Sequence, residues 1–432
     1  MTSPSPRPVP TLTIGEAITR MMPDGVPFRF TAYDGSSAGP ADSPIHVHLK
    51  NARGLSYLLT APGDLGVARA YVSGDLTLDG VHPGDPYPIL MVMQHEAGIR
   101  VPSPAEALRI VRGLGWSHLK PPPPPPQETL PRWRRMLEGL RHTKGRDAEA
   151  ISHHYDVSNR FYELVLGPSM TYTCACYPTP EATLEEAQFA KYDLVCRKLG
   201  LRPGMRLLDV GSGWGGMARH AAKHYDVEVV GVTLSREQAA WAQDAIKHDG
   251  LDHVAEVRFG DYRDVTETGF DAVSSIGLTE HIGVRSYPSY FSFLRDRLVP
   301  GGRLLNHCIT RPTNTTTDTG YFIDRYVFPD GELTGSGRIV TTMQDAGLEV
   351  RHVENLREHY ALTLKHWSAN LVANWDECVR EVGEGTAKVW GIYMAGSRRS
   401  FERNEIQLHQ VLAVKPDERG GAQFPLRPDW LS

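Results

Sequence analysis

The stretch "LLDVGSGWGG", Leu207 to Gly216, constrains the fold of this chain more than any other. Leu207 to Val210 reads as a buried strand running into a turn of bare backbone that admits a ligand to the N-terminus of a following helix. Gly211, Gly213 and Gly216 also satisfy G-x-G-x-x-G. The loop alone therefore leaves a dinucleotide and S-adenosylmethionine both open as its ligand.

Strand-like runs "RLLDV", "VEVVGVT", "AEVRFG", "FDAVSSIG" and "GGRLLNHCI" alternate with helical segments from about residue 150 to 415. That alternation predicts a Rossmann-like, doubly wound α/β domain with a mainly parallel sheet. One of its helices opens at Ser235 with Gln238 three residues on, a capping-box pattern. Ahead of it, "VPFRFTA" and "IHVHL" read as half-buried strands around the turn "YDGSSAGP". "GLSYLLTAP" reads as a helix, and "GDLGVARAYVSGDLTLDG" as a small-residue helix and turn. Residues 1–115 are expected to form a small α+β domain, with no catalytic constellation. Pro121 to Pro126 favours polyproline II, so 116–149 is read as a linker that spaces its flanks and carries a basic amphipathic segment. The tail, 416–432, is expected to be poorly ordered.

With 432 residues, 41% hydrophobic and 22% charged, the chain is ordinary for a globular protein of two or three domains. Its net charge of −5 disfavours generalised nucleic-acid binding. The five cysteines are odd in number and include no C-x-x-C pair, which argues against a disulfide framework or a structural zinc site and for a reducing cytosol. His153 and His154 lack a further ligand at metal-binding spacing, so no metal is expected. No run approaches the roughly 20 apolar residues of a membrane span, so any membrane contact is expected to be peripheral.

The flanks of the glycine loop separate the two cofactors. A dinucleotide fold usually carries an acid at the end of its second strand, about 20 residues after the glycines. Here "VVGVTLSREQ" puts Thr233, Leu234 and Ser235 in that place. Asp209, two residues before Gly211, would repel a pyrophosphate but suit the cationic amine or sulfonium of S-adenosylmethionine. Asp261 falls after the third strand beside Tyr262, an aromatic suited to flank an adenine. The same residues also fit blander roles: a glycine turn for packing, Gln238 completing a helix cap, and Tyr262 ending a strand.

"HHYDVSNRFYELVLGPSMTYTCACY", "LLDVGSGWGG", "VVGVTLSREQ", "GDYRD", "GLTEHIG", "LLNHCIT", "YVFPDGEL" and "EIQLHQVL" together resemble the cyclopropane fatty acid synthases and mycolic acid cyclopropane synthases. Those enzymes use S-adenosylmethionine to methylate double bonds of lipid acyl chains. The N-terminal "FRFTAYDGSSAGP" and "APGDLGVARAYVSGDLTLDGVHPGDPY" resemble the actinobacterial branch that makes the 10-methylene precursor of tuberculostearic acid. The resemblance implies a class I methyltransferase domain. In it Tyr172 and Thr173 contact the methionine end of the cofactor, Thr233 to Gln238 hold the ribose, and Tyr262 with Arg263 lie by the adenine.

It further implies a bound bicarbonate as base, held by Glu280, His307 and the phenol of Tyr360, with the backbones of Cys174 and Ile309 completing the cradle. Without the resemblance, a Glu-His pair at residues 280–281 reads as a helix cap or surface feature and Tyr360 as core. Family members often carry a cysteine where this chain has Ser397, which argues against a covalent cysteine mechanism. The expected substrate is an oleoyl-type phospholipid, and the expected product a 10-methylene acyl chain or, alternatively, a cyclopropane. A small-molecule methyltransferase and a non-catalytic lipid-binding protein are the remaining classes.

A saturated methyl branch would need a separate reductase as partner. The expected location is the cytoplasm, at the inner face of the membrane. Docking there is assigned to "ETLPRWRRMLEGLRHTKGR", where Trp133, Met136, Leu137 and Leu140 recur at helical spacing among arginines. The same stripe equally fits a helix packed on the protein. Oligomeric state is left open, a homo-oligomer included.

Overall fold

The computed structural model describes residues 12–61, 63–96, 102–129 and 158–431. The basic segment after residue 129, with His153 and His154, lies outside them. The chain forms two compact units: residues 1–129 with 371–399, and residues 130–370 with 400–432.

In the first unit, helix α1 (Ile14–Met21) opens with a reciprocal capping box between Thr13 and Glu16. Strands β1 (Arg29–Ala32), β2 (Ser37–Ala38), β3 (His46–Leu49) and β4 (Leu76–Asp79) form a sheet in the order β2-β1-β3-β4. Helices α2 (Ala52–Thr60), α3 (Leu65–Val72), α4 (Tyr87–Glu96) and α5 (Pro104–Leu114) complete the N-terminal part. β4 lies where the sequence reads as a turn, because "LTLD" finds an antiparallel partner in β3 with Leu76 opposite Leu49. The sequence reading also runs the second domain unbroken to residue 415. Residues 371–399 instead group with the N-terminal part: Ile392 packs on its core, and the Arg398 guanidinium sits 3.7 Å from the centre of the Tyr87 ring.

The proline run does not act as a free spacer. The Tyr57 hydroxyl donates to the Pro123 carbonyl at 2.5 Å, and Arg69 grips Glu128 with two hydrogen bonds of 2.6 Å. Polyproline II leaves its carbonyls unpaired, so a phenol on a neighbouring helix can pin it.

The second unit carries a seven-stranded sheet. Its strands are β5 (Arg206–Val210), β6 (Glu228–Thr233), β7 (Ala255–Phe259), β8 (Phe270–Ile276), β9 (Leu298–Thr310), β12 (Glu349–Asn355) and β13 (Gln407–Val414); β10 (Thr317–Asp318) and β11 (Glu332–Leu333) form a separate short ladder. The order is β12-β13-β9-β8-β5-β6-β7, with β5 to β9 parallel and β13 antiparallel to both neighbours. The five strands read from sequence are all present. Helices α6 (Asn159–Leu166), α7 (Leu184–Leu199), α8 (Gly216–Tyr225), α9 (Arg236–His248), α10 (Thr279–Ile282), α11 (Tyr287–Arg297), α12 (Tyr321–Tyr326), α13 (Ser336–Asp345) and α14 (Arg357–Ala373) connect or cover the strands.

Successive strand residues feed opposite faces of the sheet, so the inner strands read as unbroken apolar runs. Leu207, Leu305 and Leu412 join one core with α7, α8 and α9, while Leu208, Leu304 and Val411 join the other with α11 and α13. The tail is packed rather than loose: Phe424 and Trp430 rest on the first of these cores, and Arg197 donates to the Asp429 carbonyl at 2.7 Å. Its two aromatics supply apolar area that the charged stretch before them hides from a compositional reading. Among the described residues no helix is long and apolar enough to cross a membrane.

Candidate active site

The strand order reverses between β5 and β8, and there the carboxyl ends of the strands open into a pocket of about 910 Å³, its solvent mouth included. Gly211 turns the chain at φ +83°, where a Cβ would stand only 3.2 Å from the Leu278 side chain. Asp209, one residue before the end of β5, lies buried in the wall; one carboxylate oxygen accepts from Ser274 Oγ at 2.6 Å and Oδ2 has no partner among the described residues. Burial raises the carboxyl's pKa, against the pull of the Ser274 and Ser212 hydroxyls.

Tyr172 and Thr173 enter the wall from the segment before α7, Gly211 and Gly213 from the loop, and Thr233, Leu234 and Gln238 from the end of β6 and the start of α9. Tyr262 lines it from the far side, held edge-on against Tyr290 at 5.1 Å and Phe293 at 5.4 Å between ring centres. Ser235, Asp261 and Arg263 do not line it. Ser235 caps α9, accepting from the Gln238 amide at 3.3 Å, but the expected reciprocal box is only half made. Gln238 Oε1 instead accepts from Thr233 Oγ1 at 2.8 Å, which turns its amide donors away from Thr233. Asp261 and Arg263 grip one another through contacts of 2.7 and 2.5 Å, so they brace the turn that presents Tyr262.

Sequence reasoning missed Lys191, which lines the pocket fully buried and donates to Thr173 Oγ1 at 3.1 Å. Burial pulls its pKa down to about 7, opposed by the Cys176 and Cys174 sulfurs and Asp209. The signal was present: Ala187, Lys191, Val195 and Leu199 recur at helical spacing, with a lysine on an otherwise apolar stripe. Tyr192, Trp214 and His281 also line the pocket unforeseen.

A second cluster adjoins the pocket. Gly277, in the wall, donates its N–H to the His307 carbonyl at 2.8 Å, and a Cβ on it would stand 3.0 Å from Thr173. Glu280, on the short α10 that follows β8, accepts at Oε1 from the Ile309 N–H at 2.7 Å; its Oε2 is buried without a partner among the described residues. His307 and Ile309 stand two apart on β9 and so face the same way. His307 Nε2 is likewise buried, with no partner among the described residues. Burial pushes the Glu280 carboxyl up to about 7, and burial with two nearby lysines keeps the His307 imidazole neutral.

The structure thus unites Glu280, His307 and Ile309, though the Ile309 N–H holds Glu280 and is not open to a ligand. Cys174 reaches the helix of Tyr360: its thiol lies 3.8 Å from the Leu356 carbonyl, which also accepts from the Tyr360 N–H at 3.3 Å. Burial pushes the Cys174 thiol well up, which denies it thiolate reactivity. Tyr360 is buried against Phe401, 4.6 Å between ring centres.

Residues 142–411 match the family described as mycolic acid cyclopropane synthetase. A probable fatty acid methyltransferase of Mycobacterium tuberculosis is 62% identical over 405 residues, covering 94% of this chain and 95% of that protein. The cyclopropane-fatty-acyl-phospholipid synthase of Escherichia coli is 36% identical over 268 residues, 62% of this chain and 68% of that protein. Among solved structures, the cyclopropane synthase MmaA2 of Mycobacterium tuberculosis superposes with a TM-score of 0.58 at 34% identity, over 63% of this chain and 98% of that one. The mycolic acid cyclopropane synthase CmaA1, solved with S-adenosylhomocysteine and CTAB, gives the same score and identity over 62% and 97%. The chain belongs to the mycolic acid cyclopropane synthetase family and is an S-adenosylmethionine-dependent methyltransferase with the class I fold.

Proposed function

We propose that this enzyme methylates the double bond of oleoyl-type phospholipid acyl chains at a bilayer surface and releases a 10-methylene chain. The observation that carries the base chemistry of this reading is a pair of buried polar atoms beside the cofactor pocket, Glu280 Oε2 and His307 Nε2, neither of which has a partner among the described residues. Orphaned groups of that kind are costly unless a ligand satisfies them.

S-adenosylmethionine supplies a methyl group on a cationic sulfonium. Asp209, with one oxygen unpaired in the wall, suits its positive end, and Tyr262 offers a face for the adenine. An isolated alkene is a weak nucleophile, so the pocket's contribution is alignment and exclusion of water. Methylation leaves a cation on the acyl chain, which must then lose a proton. Bicarbonate, bound here, would supply a base that is not itself alkylated. Glu280 and His307 fit it: Glu280 Oε2 can accept from its hydroxyl and His307 Nε2 can donate to its anionic oxygens, while the family resemblance adds the Tyr360 phenol and the Cys174 backbone as further holders. Ile309 serves by fixing Glu280.

A hydride shift before deprotonation yields the exocyclic methylene; deprotonation without it closes a cyclopropane. The first outcome rests on the resemblance of the N-terminal stretches to the branch that makes 10-methylene chains; the mycobacterial relative, named a probable fatty acid methyltransferase, fits either outcome, and the likeness to the Escherichia coli cyclopropane-fatty-acyl-phospholipid synthase over the C-terminal part supports the second. A methyl-branched lipid would require a separate reductase acting on the methylene product. Incubation with S-adenosylmethionine, bicarbonate and oleoyl phospholipid vesicles, followed by mass and proton NMR analysis of the released fatty acids, tests the proposal. A one-carbon gain with vinylidene protons is expected. Upfield ring protons would make the product a cyclopropane, and no gain would overturn the lipid substrate.

A further inference from the structure

Three neighbouring strands place Glu354 of β12, Gln410 of β13 and His307 of β9 in one row, each directly opposite the next. Directly opposed residues of antiparallel strands project side by side on one face. Lys198 enters this row from α7. Its fully buried ammonium pairs with Glu354 and donates to Gln410 Oε1 at 2.7 Å. Gln410 Nε2 in turn lies 3.1 Å from His307 Nδ1.

Each link has only one polarity. An ammonium carries donors and no acceptor, so the Gln410 carboxamide must turn its oxygen to Lys198. The opposite flip would face two donors at each other in a fully buried site. The amide's NH2 therefore faces His307, and Nδ1 must accept. A neutral imidazole bears one proton, which is left at Nε2, the nitrogen with no partner among the described residues.

We propose that Gln410, clamped by Lys198, is a positioning residue that locks His307 in the Nε2–H tautomer, making it a donor to the ligand of that cluster. The value of this lock for turnover rests on the anion-binding reading above; the tautomer itself does not. With the opposite tautomer, a lone pair would confront the anion.

The test uses the full chain labelled with ¹⁵N-histidine and long-range ¹H–¹⁵N correlation, the His307 signals being identified by their loss in His307→Gln. The wild type should show an unprotonated Nδ1 and a protonated Nε2. Gln410→Met, of similar length and without a polar group, should give a mixed tautomer population. It should also raise the bicarbonate concentration for half-maximal rate at least tenfold while leaving the KM for S-adenosylmethionine within twofold. Gln410→Glu, which can only accept, should put a proton on Nδ1. A wild-type Nδ1–H signal, or a Gln410→Met variant with unchanged tautomer, would overturn the lock. A tautomer that responds as expected with no change in the bicarbonate response would support the lock and overturn the anion-binding reading.

Discussion

Glu280 spends one carboxylate oxygen on the Ile309 N–H, at 2.7 Å, and keeps the other buried with no partner among the described residues. An interaction of the first kind fixes a side chain; an atom of the second kind awaits a ligand. The division ties the loop after β8 to the end of β9 and sets the direction in which Glu280 can act.

Glu280→Gln preserves shape and the bond to Ile309 but turns the carboxylate into an amide. Turnover should fall by about 100-fold or more, while calorimetric binding of S-adenosylhomocysteine stays within about twofold. Equal losses in both would move Glu280 into the cofactor site.

The same variant should carry a pH signature in stability. Burial holds the Glu280 carboxyl at about 7 in the folded protein, above its ordinary 4.5. The folded state therefore binds more protons than the unfolded one between these values, and Glu280 costs stability as pH rises through that window. Glu280→Gln escapes that cost, so its denaturation midpoint relative to wild type should be higher at pH 8 than at pH 4.5. A constant difference would show that the carboxyl titrates normally.

Asp209→Asn removes the negative charge from the pocket wall while leaving an acceptor for Ser274. The Kd for S-adenosylmethionine should rise about 10- to 100-fold, the worth of one charged hydrogen bond. Unchanged affinity would place the ligand's cationic end elsewhere.

Glu128→Ala removes the two hydrogen bonds it makes with the Arg69 guanidinium, which is only 13% exposed. A cost of about 3 kcal/mol is expected, with faster proteolysis in 121–129 that marks release of the proline run. Wild-type resistance at that site would show the run held by other contacts.

The inner parallel strands β5, β6, β8 and β9 are legible because both their faces are covered, so each carries an apolar run between turn signals, and the edge strand β7, "AEVRF", is legible from its alternation of apolar and charged residues. β12 was not: as an edge strand it alternates partly exposed polar residues, "EVRHVEN", with little apolar content. β4 hid in a short polar turn and became a strand only through β3. Most of the pocket wall could be read from the glycine loop and its flanks, since local chain order brings those residues together. Asp261 and Arg263 pair with one another outside the pocket lining, a contact that chain order alone does not reveal. Glu280 and His307 entered through family resemblance, their spacing having no local signature. Gln410 and Lys198 stayed invisible because strand pairing across more than a hundred residues makes their roles.

The most direct measurement is the rate of methyl transfer to oleoyl phospholipid vesicles in carbonate-depleted buffer, followed by titration with bicarbonate at constant pH and ionic strength. Turnover should fall near zero and return along a saturating curve that Glu280→Gln does not follow. Full turnover without bicarbonate would contradict it and make some group of the protein itself the base.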